Sequence, residues 1–393
     1  MHLVGEILDQ HAGADARVLD PFCGTGTTAL VCAERGLPCD TTDINPFLLW
    51  LARAKTRAYG RRAIASAAER AREVAAAMRR RGGTAWTPAL HQIEKWWDAE
   101  TLGALARGKR VIDGARGAAG DLLQLAFCRT LIERANVSFG HQSMSFKRAA
   151  DRDAFDRGAI VATWTRAIES LCASAASPIA TPPRALACDA RGLDRALERG
   201  AYTCVVTSPP YPNRMSYIRE LRPYMYWLGY LADGRAAGEL DWQAMGGTWG
   251  VATSNVAKWS PADARQVPYA RFDAILAAVA RKSAVLSKYI HKYFYDMVDH
   301  VTGLNMVVAP GGSIHYVVGN SKFYDVMLPV EEIFAALFEH AGFTGATVRA
   351  IRKRTSKKEL FEFVVSATKP AQPAKPTATA SSSARRRSAP SSS

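Results

Sequence analysis

The residues with the clearest chemistry lie in one early stretch, Asp20-Pro21-Phe22-Cys23-Gly24-Thr25-Gly26-Thr27-Thr28, and in Asp43-Ile44-Asn45-Pro46 downstream of it. Val18 and Leu19 form a short apolar run that ends in an acid and a proline and opens into a glycine-rich turn, and an amphipathic stretch follows from Ala29 to Arg35. The local pattern is strand, tight loop, helix. Gly24 and Gly26 let the backbone turn sharply and let a ligand approach without a Cβ in the way. A phosphate-gripping loop needs Lys and then Ser or Thr after its last glycine, whereas Gly26 is followed by Thr27 and Thr28. A dinucleotide fingerprint needs a third glycine, which is missing. The next strand, Pro38 to Thr42, ends at Asp43. A carboxylate at that place is positioned to accept hydrogen bonds from both ribose hydroxyls. A nucleoside of another kind is the ligand this pattern favours over a plain glycine turn.

A second block, Val205-Val206-Thr207-Ser208-Pro209-Pro210-Tyr211, gives the first its context. The stretch from Asp20 to Thr28 with Asp43-Ile44-Asn45-Pro46 resembles the S-adenosylmethionine loop of the amino-group DNA methyltransferases. The Thr-Ser-Pro-Pro-Tyr block resembles their catalytic motif, in the serine version usual in cytosine-N4 enzymes. The resemblance covers residues 17–56, 185–229 and 311–367 well and the region between the first two poorly. It implies S-adenosyl-L-methionine as cofactor, held by Asp20, Pro21, Phe22, Cys23, Gly24, Gly26, Thr27, Asp43, Ile44 and Asn45. It also implies that Asp189, after the third strand, contacts the adenine amino group; a helix N-cap is the alternative for that acid.

The catalytic residues implied are Ser208, Pro209, Pro210 and Tyr211. An exocyclic amino group is a poor nucleophile because its lone pair is delocalised into the ring, so rate depends on positioning and polarising it. The Ser208 hydroxyl and the Pro209 carbonyl are the acceptors for the amino hydrogens, successive prolines restrict the turn, and Tyr211 offers a face to a base flipped from the duplex. The expected reaction is methylation of cytosine N4 in double-stranded DNA. Adenine N6, an RNA or protein amide substrate, and an inactive nucleic-acid-binding homologue stay open, as does a cognate restriction endonuclease. Many relatives have Asp-Tyr where this chain has Ser216-Tyr217, so no catalytic role passes to Ser216. Relatives also carry an extended segment before the cofactor loop, where only Met1 to Gly13 stands here. A cysteine nucleophile of the cytosine-C5 type would have to be Cys39 in Pro38-Cys39-Asp40, which sits in the wrong strand and reads better as buried core.

Composition agrees with a nucleic-acid substrate. The 393 residues carry a net charge of +15, and Lys and Arg neutralise phosphates and release counterions. The tail from Lys369 to Ser393 holds five of those charges, no acid, and a composition of Ala, Pro, Ser and Thr that cannot build a core, so it reads as disordered. Hydrophobic content of 48% is that of a globular chain. The seven cysteines lack C-x-x-C spacing, which argues for reduced thiols in the cytoplasm and against zinc or disulfides. No signal peptide is evident, and no stretch approaches the roughly 18 apolar residues of a membrane span.

These residues need an α/β scaffold, and the implied one is a Rossmann-like class I methyltransferase fold. Its doubly wound, mostly parallel sheet ends in an antiparallel strand and is interrupted by a large helical insertion, with the ligand at the carboxyl ends of the strands. The expected division is a cofactor-binding part of the core (1–49), the insertion (50–184), the catalytic part (185–229), a lid or DNA-reading segment with a helix (230–310), the C-terminal strands (311–368) and the tail (369–393). One helical run is expected from Ala52 to Arg81, its arginines tracking a phosphate backbone or forming a solvated face. A further helix is expected from Tyr269 to about Asn305, and an antiparallel hairpin from Ala346 to Ala367. The loop Asn136 to Arg148 has the small polar, amide, aromatic and basic side chains that reach phosphates and base edges, though a plain surface loop has them too.

Overall fold

The computed structural model describes residues 1–82, 86–138, 144–151, 155–213, 215–354 and 359–371. The expected disordered tail beyond residue 371 and residues 139–143 of the candidate DNA-contacting loop lie outside the described residues. Seven strands form the main sheet: β1 (Val18–Asp20), β2 (Cys39–Asp43), β3 (Arg184–Ala187), β4 (Tyr202–Thr207), β5 (Val308–Gly319), β6 (Thr344–Lys353) and β7 (Phe361–Thr368). Their spatial order is β6-β7-β5-β4-β1-β2-β3. Strands β1 to β5 pair in parallel, and β7 runs antiparallel to both neighbours. This is a Rossmann-like, doubly wound, mostly parallel sheet with a terminal antiparallel strand. Chain direction across the sheet reverses between β1 and β4, which makes the carboxyl ends of those two strands the crevice where such a fold binds its ligand.

The central strands are buried on both faces, as parallel strands covered by helices must be. Val18, Cys204 and Val206 face the helices His2–His11 and Thr27–Arg35, while Leu19 and Val205 pack with the helices Ala284–Val307 and Val330–His340 on the other side. The helices Arg61–Arg79, Ala99–Asp113, Gly117–Glu133 and Arg157–Ala175 build a second core around Trp96, Trp97 and Trp164. Phe47 and Leu48, and Ile218, Met225, Tyr226 and Trp227, join that core. The insertion is therefore fused to the helices Pro46–Lys55 and Tyr217–Trp227 that follow β2 and β4.

Two helix assignments need correction. The run from Ala52 to Arg81 is not one helix: the first helix ends at Lys55, Thr56 turns its hydroxyl back to the Ala52 carbonyl (2.7 Å), and Gly60 precedes the helix Arg61–Arg79. Glycine is a poor interior helix residue, so the break falls there. The stretch Tyr269 to Asn305 divides into the helices Phe272–Ala280 and Ala284–Val307, because Ser283 uses its hydroxyl to accept the Leu286 N–H (3.3 Å) and restart the chain as an N-cap. The Pro310-Gly311-Gly312 segment lies inside β5. The hairpin forms as β6 and β7, and residues 230–270 contribute the helices Gly234–Gln243 and Val251–Lys258. Among the described residues no helix is long and apolar enough to cross a membrane.

One polar cluster ties the opposite ends of the strands together. The Asp40 carboxylate, only 3% exposed, accepts from Arg17 Nη2 (3.0 Å), Arg184 Nε (2.6 Å) and Tyr202 Oη (2.5 Å), which joins β2 to β3, to β4 and to the residue before β1. Burial alone would raise its pKa, but the hydrogen bonds of Arg184, Tyr202 and Arg17 outweigh it and hold the group below the usual range. The stabilisation is thus present above the ordinary Asp range and is lost as pH falls below it. Asp40→Ala should lower stability by roughly 1–3 kcal/mol, since it leaves the buried Tyr202 hydroxyl without an acceptor. Urea unfolding with an unchanged midpoint would deny the cluster that role.

Candidate active site

The loop after β1 and the end of β2 are built as one unit. Gly24 (φ +49°) and Gly26 (φ +73°) take left-handed conformations that a side chain would strain. A Cβ on Gly26 would stand 3.0 Å from Ala52 Cβ, so this glycine serves the packing of one helix on the next. Gly24 N donates to Asp43 Oδ2 (3.2 Å) and Asn45 N to Asp43 Oδ1 (2.8 Å), so backbone donors fix both carboxylate oxygens. Asn45 in turn caps the helix Pro46–Lys55, its Oδ1 accepting from Phe47 N at 3.0 Å. Burial pushes Asp43 up to about 6 against the opposing pull of the Asn45, Gly24 and Ile44 N–H groups.

Asp20 lies beneath this loop. Its Oδ1 accepts from Thr207 Oγ1 (2.6 Å) and from Phe22 N (3.2 Å), and burial pushes its pKa up to about 7 although both bonds pull it down. The Thr207 bond joins the loop after β1 to the turn after β4. In that turn Ser208 is exposed and donates its hydroxyl hydrogen to the Val317 carbonyl of β5 (3.1 Å). The Pro210 carbonyl accepts from Tyr293 Oη (2.6 Å), which fixes the second proline. Burial pushes Tyr211 up to about 12, so its phenol stays neutral. Ser216 caps the helix Tyr217–Trp227 by accepting from Arg219 N (3.0 Å).

Both motifs open into one cavity of about 220 Å³. Its walls include Pro21, Phe22 and Gly24 from the first loop, Asp43, Ile44 and Asn45 from the second, and Ser208, Pro209, Pro210 and Tyr211 from the third. Asp189 reaches it too, but its carboxylate also accepts from Arg191 N (3.0 Å) and from the Arg191 guanidinium (2.5 Å to Nη2). Burial would raise Asp189, and the Arg191 contacts outweigh it and lower its pKa. Four of the candidate residues are absent from the wall: Asp20 lies under it, Cys23 packs with Leu49, Ala52 and Ala185, Gly26 meets Ala52, and Thr27 begins a helix.

The facing wall is the segment Asp241 to Gly247, which lies within the expected lid or DNA-reading segment but from which sequence reasoning singled out no site residue. Asp241 is 1% exposed, accepts from Ser216 Oγ and from Trp249 N (2.7 Å), and is pushed up by burial. A Cβ on Gly247 would fall 1.7 Å from the Asp241 carbonyl oxygen, so no other residue fits there. The Gly246-Gly247 pair was the one signal in an aperiodic stretch that marks a close backbone approach. Also missed was His300, which supports Phe22 edge-on (4.7 Å) and bridges the Ala190 carbonyl (2.9 Å) and Tyr316 Oη (2.6 Å). Burial lowers it to about 4, so it is a neutral structural imidazole near pH 7. The arrangement offers a fixed carboxylate and a glycine cradle at one end and oxygen acceptors beside aromatic rings at the other.

Because the folded-state pKa of Asp20 is raised, its protonated form suits the fold: that stability is complete below the ordinary Asp pKa and is lost as pH rises through about 7. Asp20→Asn keeps the Oδ1 acceptor for Thr207 and Phe22. It should gain on the wild type by on the order of 4 kcal/mol between pH values of about 4 and about 7. Parallel pH profiles of the two unfolding midpoints would show that Asp20 does not titrate in this window.

No family model and no curated protein matches the sequence. Among solved structures the chain is similar to the rRNA methyltransferase aviRa from Streptomyces viridochromogenes, at 13% identity over 92% of this chain and 80% of that one. The TM-score is 0.30, a likeness too low to bear on function.

Proposed function

We propose that this protein transfers a methyl group from S-adenosylmethionine to an exocyclic amino group of a DNA base, with cytosine N4 as the acceptor. The observation that carries the reading is the single cavity at the β1/β4 switch point, into which the Gly24 loop, Asp43 and the Ser208 to Tyr211 turn all open. S-adenosylmethionine fits the residues at one end. The Asp43 carboxylate suits a ribose diol, since each oxygen holds one backbone N–H and keeps acceptor capacity, and Phe22 and Ile44 supply apolar walls. When bound, the cofactor supplies an electrophilic sulfonium methyl.

The chain's own residues then orient and polarise the acceptor. The Ser208 hydroxyl has the Val317 carbonyl (3.1 Å) and Tyr211 Oη (3.5 Å) as acceptors for its one hydrogen, which leaves its oxygen lone pairs, together with the Pro209 carbonyl, to meet the amino group. Accepting the amino hydrogens draws electron density back onto nitrogen and aligns its lone pair. Tyr211 and Tyr217 line the same end and give aromatic faces for a base that has left the stack. The serine of the Thr207 to Tyr211 motif favours cytosine, and the basic balance of the chain favours a polyanion.

DNA incubated with methyl-deuterated S-adenosylmethionine and digested to nucleosides should contain labelled N4-methylcytosine by mass analysis, with no covalent enzyme adduct. Labelled N6-methyladenine would move the target base, label in RNA alone would move the substrate, and 5-methylcytosine would sink the mechanism. Ser208→Ala should lose roughly 2–4 kcal/mol of transition-state stabilisation while still binding the cofactor. Full turnover in that variant would remove the hydroxyl from catalysis.

A further inference from the structure

Arg354 stands beside the cavity as a cation without a carboxylate partner among the described residues. Its neighbours are neutralised: Arg352 Nε pairs with Glu362 Oε2 and Lys322 Nζ with Glu359 Oε2, each at 2.6 Å. Among the described residues Arg354 makes no ion pair, and its side chain has two contacts of another kind. Nη1 donates to the Asn320 carbonyl (3.2 Å), and Cζ lies over the Tyr211 ring, 5.4 Å from its centroid.

The surrounding chain is shaped to hold it there. A Cβ on Gly319 would come 2.8 Å from Arg354 Nη1 and 3.1 Å from Tyr211 Cε2, so the stacked pair requires glycine at the end of β5. Asn320, 6% exposed, stitches the base of the β6/β7 hairpin: Nδ2 donates to the Glu359 carbonyl (3.0 Å) and Oδ1 accepts from Phe361 N (2.9 Å). Arg354 N donates to the Leu360 carbonyl (2.7 Å). The guanidinium is thus presented by a hydrogen-bonded stem, with one N–H spent on Asn320 and its other donors available for an anion.

The anion that must accompany a base at Tyr211 is the phosphodiester of the same nucleotide. We infer that Arg354 binds the backbone phosphate of the extruded nucleotide while its guanidinium stacks on Tyr211, so that one Tyr–Arg unit meets both base and phosphate. This rests on the nucleic-acid reading of the site. It goes beyond that reading by naming the residue on β6's exit that anchors the target strand. A lysine there would keep the charge but lose the planar stack.

Salt dependence isolates the phosphate contact. Affinity for a fluorescent duplex oligonucleotide is measured across a potassium chloride series for the wild type, Arg354→Gln, Arg354→Met and Arg354→Lys, with S-adenosylmethionine affinity measured alongside. The two neutral variants should reduce the slope of log K against log salt by about 0.9, the contribution of one phosphate, and the lysine variant should retain it. Cofactor affinity should be the same in all four. A wild-type slope in either folded neutral variant overturns the inference while the nucleic-acid reading stands. A wild type whose binding shows no salt dependence overturns both.

Discussion

The site depends on the hydrogen bond from Thr207 Oγ1 to the buried Asp20 carboxylate. β1 and β4 lie side by side, with Leu19 opposite Val205, and the chain leaves their carboxyl ends in loops that carry different chemistry. Without a tie those loops would be set only by the strands behind them. The Asp20 bond holds the turn after β4 against the loop after β1, and Thr28 Oγ1 adds a second link to the Val206 carbonyl (3.3 Å). Burying a carboxylate is costly, and the raised pKa of Asp20 records that cost. It is tolerated because Oδ1 accepts from both Thr207 Oγ1 and Phe22 N and so fixes the distance between two loops that line one cavity.

Rigidity reaches the site from the insertion as well. Phe47 and Leu48 sit at the start of the helix that Asn45 caps, and both belong to the tryptophan-rich core of the inserted helices. Ile218 and Met225 enter the same core from the helix that follows the Ser208 to Tyr211 turn. The two walls of the cavity are therefore braced on one body, so displacing a helix of the insertion would be felt at Asn45 and at Tyr217 together. Helix packing at native density transmits such shifts instead of absorbing them.

The parts of this arrangement that were legible in the sequence are those fixed by local chemistry. Gly24, Asp43 and the proline pair after Thr207 announce turns and acceptors whose geometry few other residues supply, and the mostly parallel α/β class follows from the alternation around them. Helix breaks at Gly60 and Ser283 were misjudged because apolar periodicity continues across them, while the capping hydroxyl and the glycine that interrupt it are single residues. The wall from Asp241 to Gly247 was hidden for a different reason: its place is set by side-chain contacts, Ser216 to Asp241 and Asp241 to Trp249, which have no period. Cys23 and Gly26 belong to the motif yet serve packing, and Thr27 starts a helix, a distinction that spacing alone does not make.

Calorimetric titration of S-adenosylmethionine into the wild type and into Asp43→Ala tests the central claim that the fixed carboxylate at the end of β2 holds the cofactor's ribose. The account predicts saturable one-site binding to the wild type that weakens as pH falls through about 6, where Asp43 protonates, and severely reduced binding to a folded Asp43→Ala. Equal affinity in the two proteins, or no binding to the wild type, would contradict it.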